Sequence, residues 1–265
     1  MVYRLFYRCP SIFIIIVLIL NSYSVLAVDR FNVVVGFSKP PYVIQENNSG
    51  FEIELVRNVL ASMGKTTKFV YTAYERTPKM LAVKEIDAVM TTNNKTIPYQ
   101  SKLSDVYINY QNVVISLKSK HLKINSIDDL AAFSVASFQN ADKVLGEKFG
   151  NAVKKSPLFL QIKHQSQQPL LLLKGRIDVI VIDKNIFNYL VAEIGIQNPE
   201  NIFSFYPIFP KSPYKMAFKD SANVQVFNQV LKQYLSSNSY LALLKKYHLT
   251  NSINPLYPNQ PKMQP

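Results

Sequence analysis

One short phrase occurs twice in the chain, about ninety residues apart, and it narrows the fold more than any other feature. The first copy is Pro78-Lys79-Met80-Leu81-Ala82-Val83-Lys84-Glu85-Ile86-Asp87-Ala88-Val89-Met90. The second is Pro169-Leu170-Leu171-Leu172-Leu173-Lys174-Gly175-Arg176-Ile177-Asp178-Val179-Ile180-Val181. Each reads as an apolar helix, a lysine-bearing turn, Ile-Asp, and an apolar run of strand length. A helix feeding a buried strand is an α/β unit, and each copy holds a comparable place in its half of the chain. Two similar α/β lobes are therefore expected, and such a protein works in the cleft between them.

The remaining periodicities fill in the lobes. Residues 31–37, centred on Val33-Val34-Val35, predict a buried strand, followed by Ser38-Lys39-Pro40-Pro41-Tyr42 as a rigid extended loop. Asn47-Asn48-Ser49-Gly50 predicts a turn. An amphipathic helix is expected over 51–63, with Phe51, Leu55, Val56 and Leu60 on one face and Gly64 closing it. Strands are predicted over 67–71, 88–92 and 113–117, with a helix over 76–83. Ser126 reads as the N-cap of a short helix, 133–137 as the strand opening the second half, and 141–149 as one helix. A strand over 177–182, a helix over 185–192, a returning strand over 215–218 and helices over 224–235 and 240–247 follow. This order sets the second lobe (117–212) inside the first (28–116 and 213–250), with hinge crossings near Ile115 and Tyr214. Residues 251–265, rich in proline, are expected to form a loose strap or to be disordered.

The first 27 residues differ from the rest. Arg4 and Arg8 are their only charges, Phe13-Ile14-Ile15-Ile16-Val17 forms an apolar centre, and Val25-Leu26-Ala27 ends on small residues. This is the pattern of a secretory signal cleaved after Ala27, which predicts a periplasmic protein beginning at Val28. Cys9, the one cysteine, would leave with the signal, so neither disulfides nor thiolate chemistry are expected. Losing the two arginines lowers the net charge from +13 to +11. The lysines are spread along the chain rather than clustered, so no nucleic-acid partner is expected. His121, His164 and His248 lack metal-ligand spacing, and no metal or cofactor is anticipated.

Five phrases resemble, in order, the extracellular solute-binding proteins of family 3, the polar amino-acid-binding group of periplasmic binding proteins. They are Pro40-Pro41-Tyr42, Gly50-Phe51-Glu52-Ile53-Glu54-Leu55, Lys84-Glu85-Ile86-Asp87-Ala88, Leu103-Ser104-Asp105-Val106-Tyr107, and Gly175-Arg176-Ile177-Asp178 running on to Asp183. The resemblance implies a two-lobed α/β fold of the type II periplasmic-binding-protein class, with two hinge crossings and a central cleft. It implies Tyr42 and Tyr74 as aromatic walls, and Thr91, Thr92 and Asn94 as a polar shelf in the first lobe. Gln139 and Asn140 fall where the family has hydroxyl residues before a helix, and Asp183 matches the aspartate that takes a ligand's amine, while its place between a strand and a helix also reads as an N-cap. One departure stands out. The segment Asn93-Asn94-Lys95-Thr96-Ile97-Pro98-Tyr99-Gln100 lacks the arginine with which the family clamps a carboxylate. Lysine does not reproduce that bidentate geometry, although Lys95 supplies charge.

The implied function is capture of a small polar, amine-bearing solute by a monomeric, non-catalytic protein. Its partner would be the permease of an ABC-type transporter. The alternatives are an enzyme on the same fold, similar to the cyclohexadienyl dehydratases, or a ligand-sensing partner of a membrane signalling protein. Asp87, Asp178, Glu52 and Glu54 read as structural, the last two as first-turn acids that suit the helix dipole.

Overall fold

The computed structural model describes residues 30–73, 76–250 and 253–254. The proposed signal and most of the tail lie outside the described residues, as does Tyr74. The chain builds two five-stranded mixed sheets, each flanked by helices. The first holds β1 (Arg30–Gly36), β2 (Thr66–Thr72), β3 (Ala88–Thr92), β4 (Leu103–Tyr110) and β10 (Ser212–Phe218) in the order β2-β1-β3-β10-β4. The second holds β5 (Asn112–Leu117), β6 (Val135–Phe138), β7 (Phe159–Ile162), β8 (Val179–Asp183) and β9 (Phe203–Tyr206) in the order β7-β6-β8-β5-β9.

Strand alternation sorts each sheet's side chains onto two buried faces. In the first lobe Val33 and Val35 face the cluster that takes in α1 (Phe51–Ser62), α7 (Ala222–Leu235) and α8 (Asn238–Lys246). Val34 and Val89 face the other way, onto Met80 of α2 (Thr77–Met80) and Leu81. In the second lobe Ile180 and Ile182 pack with Leu172 of α5 (Gln167–Leu173) and with Ile186, Phe187 and Val191 of α6 (Lys184–Glu193). Val179 and Val181 pack on Phe149, Ala152 and Val153 of α4 (Glu147–Lys154).

The repeated phrase does the same work in both lobes. Asp87 accepts the backbone N–H of Asn32 at 2.7 Å and returns its own N–H to the Asn32 carbonyl at 3.0 Å. Asp178 accepts the backbone N–H and hydroxyl of Ser134, at 2.9 and 2.6 Å. Each aspartate thus sits one residue ahead of a parallel pairing, Val33 with Ala88 in one lobe and Val135 with Val179 in the other. A one-residue slip would exchange the side chains between the two buried faces and mismatch both, and these bonds oppose it.

The structure differs from the sequence reading in several places. The chain leaves the first sheet at Gln111, because β5 pairs with β8 and β9, so residues 113–116 belong to the second lobe. A continuous apolar run such as Val113-Val114-Ile115 suits the middle of either sheet, so its pattern does not choose between them. The second crossing spans 207–211, just ahead of β10. The helix expected over 141–149 is two, α3 (Ala141–Val144) and α4, broken where Gly146 takes φ 95°. Ser126 is not a side-chain cap; its N–H, with that of Asn125, is held by the Asp129 carboxylate. The start of the tail is anchored rather than loose: Ile253 joins the core, and the Asn254 amide donates to the Leu235 carbonyl at 3.1 Å.

Candidate functional site

The loop after β1 and the first turn of α1 are locked together by their backbones. Phe51 and Glu52 donate their N–H groups to the carbonyls of Pro41 and Tyr42, both at 2.9 Å. Gly50, at φ 112°, allows this approach; a Cβ there would lie 2.4 Å from the Tyr42 carbonyl oxygen. The lock carries Glu52 into the protein interior, where it is fully buried.

Glu52 is the hub of a polar network. Its Oε1 accepts from the Thr91 hydroxyl at 2.6 Å and from the Tyr107 hydroxyl, and its Oε2 accepts from the Tyr110 hydroxyl at 2.7 Å. The Lys39 ammonium lies 3.6 Å from Oε2 and 5.0 Å from the centre of the Tyr110 ring. Burial holds the Lys39 pKa below the ordinary lysine value, while Glu52 and then Asp183 pull it back up. Burial, reinforced by Glu52, raises the Tyr107 and Tyr110 hydroxyls well above the usual tyrosine value, so both remain donors. Thr91 reaches Glu52 because the β3–β10 ladder shifts register between Lys215 and Ala217, and Thr91 takes φ 56° there. Such an irregularity re-aims a strand side chain.

A second polar centre lies beside the first crossing. The Tyr42 ring stacks on Tyr110 with centroids 4.1 Å apart, and Tyr214 meets Tyr110 edge-on at 4.9 Å. The Tyr42 hydroxyl donates to Asp183 Oδ1 at 3.1 Å and accepts from the Asn185 amide at 2.9 Å. Asp183 is the N-cap of α6, taking the N–H groups of Asn185 and Ile186 at 2.9 and 3.1 Å. Its Oδ2 accepts the N–H of Gln111, the single residue between β4 and β5, at 2.8 Å. Asp183 is only 3 % exposed. Burial pushes its pKa up to about 6, against the lowering effect of these hydrogen bonds.

A cavity of about 360 Å³ opens between the lobes beside the second crossing. Asn93, Asn94 and Lys95 line it from the first lobe, Val144 and Leu145 from the second, and residues 209–215 along the crossing and β10. Tyr214 links this cavity to the tyrosine stack.

The sequence-predicted residues therefore separate. Tyr42 and Asp183 meet directly, and Asn94 and Lys95 line the cavity. Thr91 and Thr92 are buried, Thr91 on Glu52 and Thr92 on the Thr96 hydroxyl at 2.6 Å. Gln139 is exposed, and Asn140 takes φ 60° as the N-cap of α3 with its N–H on the Gln161 side chain at 2.7 Å. Sequence reasoning missed Lys39, Tyr107, Tyr110, Lys211 and Lys215, and it read Glu52 only as a dipole-favoured acid. The signal for Glu52 was present: positions 52, 55, 56, 59 and 60 share one helix face, and four of the five are apolar.

Two α/β lobes joined by two crossings, with a cavity between them, define the two-lobed binding-protein fold of type II. The chain belongs to the bacterial extracellular solute-binding proteins, family 3, whose model matches residues 32–250. Solved structures similar to it include an ancestral arginine-binding protein bound to arginine, at 20 % identity, covering 83 % of this chain and 98 % of that one with a TM-score of 0.62. Another is the substrate-binding protein of an ABC uptake transporter from Streptococcus pneumoniae with bound histidine, at 16 % identity, covering 83 % and 92 % with a TM-score of 0.64. A third is an ancestral amino acid-binding protein described as a precursor of cyclohexadienyl dehydratase, at 21 % identity, covering 83 % and 95 % with a TM-score of 0.63. At these identities the likeness carries the fold. No curated protein matches the chain.

Proposed function

We propose that this protein captures a small polar solute in the cleft between its lobes, without chemical turnover, and delivers it to the permease of an ABC-type transporter. The observation that carries this reading is the inter-lobe cavity, which draws Asn93, Asn94 and Lys95 from one lobe and Val144 and Leu145 from the other. A site shared between two lobes closes when the lobes rotate about their crossings. Gln111, flanked by the tyrosine stack, and the 207–211 segment are the hinges in this reading. A purely binding role fits the buried carboxylates, since Glu52 and Asp183 are engaged by internal donors. Among the described residues no helix is long and apolar enough to cross a membrane, and we read the chain as exported to the periplasm with cleavage after Ala27.

Small-angle scattering on the exported protein tests the reading. A saturating solute should shrink the radius of gyration, and N-terminal sequencing should begin at Val28. An unchanged radius with a solute shown by calorimetry to be bound would overturn capture by closure.

A further inference from the structure

We propose that the outer end of the second lobe docks on an anionic phospholipid bilayer through Lys118, Lys154, Lys155, Lys174 and Arg176. The proposal goes beyond solute capture and does not depend on it.

The sheet of this lobe brings these cations together. Its register pairs Val135 with both Phe159 and Val179, Ser116 with Val179, and Leu117 with Phe203. The starts of β6, β7, β8 and β9 and the finish of β5 therefore share one end of the sheet. Five strands about 4.8 Å apart make that end roughly 20 Å wide. Lys154 and Lys155 lie just ahead of β7, Lys174 and Arg176 just ahead of β8, and Lys118 just after β5. All five are exposed. Backbone bonds fix the loops there: Val135, Val179 and Lys118 donate their N–H groups to the carbonyls of Leu158, Ser134 and Ile202 at 2.8, 3.1 and 2.8 Å. Charges that are dispersed along the chain are thus gathered by the fold.

Large aliphatic side chains stand among them. Leu158, Leu173 and Ile202 occupy the same end and are 43, 39 and 38 % exposed. A surface that mixes lysine with exposed aliphatics suits a membrane interface. The aliphatics enter the acyl boundary, and the ammonium groups on their flexible stems reach the phosphates. A purely electrostatic partner would leave the aliphatics in water.

Acids do not cancel this charge. Asp178 is engaged by Lys120 and by Ser134, and Glu200 lies 3.6 Å from Lys184. Glu193, at the finish of α6, is the exposed counter-charge. Nor does the helix dipole account for the excess. It favours cations at the finish of α4 and α5, where Lys154, Lys155 and Lys174 sit. The same rule holds in the first lobe, yet at the corresponding strand ends Glu85, Asp87 and Asp220 stand among Lys65, Lys84 and Lys219.

The cleft lies at the opposite end of the sheet, where Asp183 finishes β8 and Val144 and Leu145 follow β6. Docking by the outer end leaves the cleft open and keeps the protein beside the membrane that holds a permease.

Co-sedimentation of the exported protein with vesicles tests the proposal. Vesicles of phosphatidylglycerol and phosphatidylcholine in equal parts should bind it, vesicles of phosphatidylcholine alone should not, and sodium chloride should weaken the binding. Lys154→Gln, Lys155→Gln and Lys174→Gln together should lower the partition roughly tenfold or more. Lys68→Gln, Lys84→Gln and Lys232→Gln, exposed positions of the first lobe, remove the same charge and should lower it at most about twofold. Leu158→Ala with Leu173→Ala should also weaken binding, and circular dichroism checks that each variant folds. Equal loss in the two lysine triples would mean general attraction of a basic protein and would overturn the docking surface. So would failure to bind the mixed vesicles. Vesicle binding untouched by the leucine pair, with polyglutamate bound as tightly as the vesicles, would assign the surface to an acidic polypeptide and overturn the bilayer. Solute capture stands in each of these cases.

Discussion

The Tyr42 hydroxyl donates to Asp183 Oδ1 at 3.1 Å, tying the loop after the first strand of one lobe to the helix cap of the other. The bond lies beside Gln111, whose N–H is held by the other oxygen of the same carboxylate. One aspartate thus caps a helix, anchors a hinge and receives a tyrosine from the opposite lobe. Its removal is felt in three places at once.

Asp183→Ala deletes the α6 cap and strands the Gln111 N–H and the Tyr42 hydroxyl. A lost cap costs about 1 kcal/mol, and an unsatisfied buried donor costs about 1–3 kcal/mol. The variant should lose at least about 3 kcal/mol in urea unfolding. Tyr42→Phe, which removes one hydroxyl and keeps the stack on Tyr110, should lose about 1 kcal/mol.

The pH dependence of stability carries the same residue's signature. The Asp183 pKa is raised to about 6 in the folded protein, from 3.8. The folded state therefore binds more protons than the unfolded state between these values, and stability falls as pH rises through that window. A shift of this size is worth about 3 kcal/mol. Chemical denaturation at pH 4 and pH 7 should show wild type losing about 2 kcal/mol relative to Asp183→Asn, which does not titrate there, since the unfolded carboxyl is already partly ionised at pH 4. Asp178 behaves oppositely. Partial burial opposes its ionisation, but hydrogen bonds from Lys120 and Ser134 outweigh that and bring it down to about 2. Its contribution is present above pH 3.8 and disappears as pH falls toward 2.

Glu52 and Lys39 should prove strongly coupled. Glu52→Ala leaves the Lys39 ammonium among Tyr110 and other buried groups without its nearest carboxylate. Removing one partner of a buried pair costs about 3–5 kcal/mol. Lys39→Met in the Glu52→Gln background should cost much less than Lys39→Met in the wild type. A double-mutant cycle by urea unfolding should return a coupling energy of at least about 1 kcal/mol. Strict additivity would mean that the two charges do not interact.

Two glycines with positive φ should respond differently to alanine. Gly50→Ala sets a Cβ 2.4 Å from the Tyr42 carbonyl oxygen, so the α1 start must move away from the loop that positions Glu52. The expected loss is about 2–3 kcal/mol. Gly175→Ala, at φ 62° with nothing within 4 Å, should lose about 1–2 kcal/mol from backbone conformation alone. Thermal melts of the two variants give the comparison.

What the sequence determined by itself is the pair of lobes and their family. The Ile-Asp phrase repeats because each lobe needs a helix delivered into a parallel strand, and local periodicity records that need. Asp87 and Asp178 are legible as structural for the same reason. The site divides differently. Asn94 and Lys95 follow a predicted strand and are found at the cavity, where loops at strand ends belong. The sheet to which residues 113–116 belong was not legible, since an apolar run satisfies either core. The capping role of Asp183 was legible from its place between a strand and a helix, but its bonds to Tyr42 and Gln111 were not, because these partners lie 141 and 72 residues away in the chain. The same holds for Glu52, whose bonds to Thr91, Tyr107 and Tyr110 span 39 to 58 residues. Tertiary structure alone decides whether a buried carboxylate faces a ligand or the protein's own donors. The sequence records only that the carboxylate is there, while the donors that satisfy it converge from segments brought together by folding.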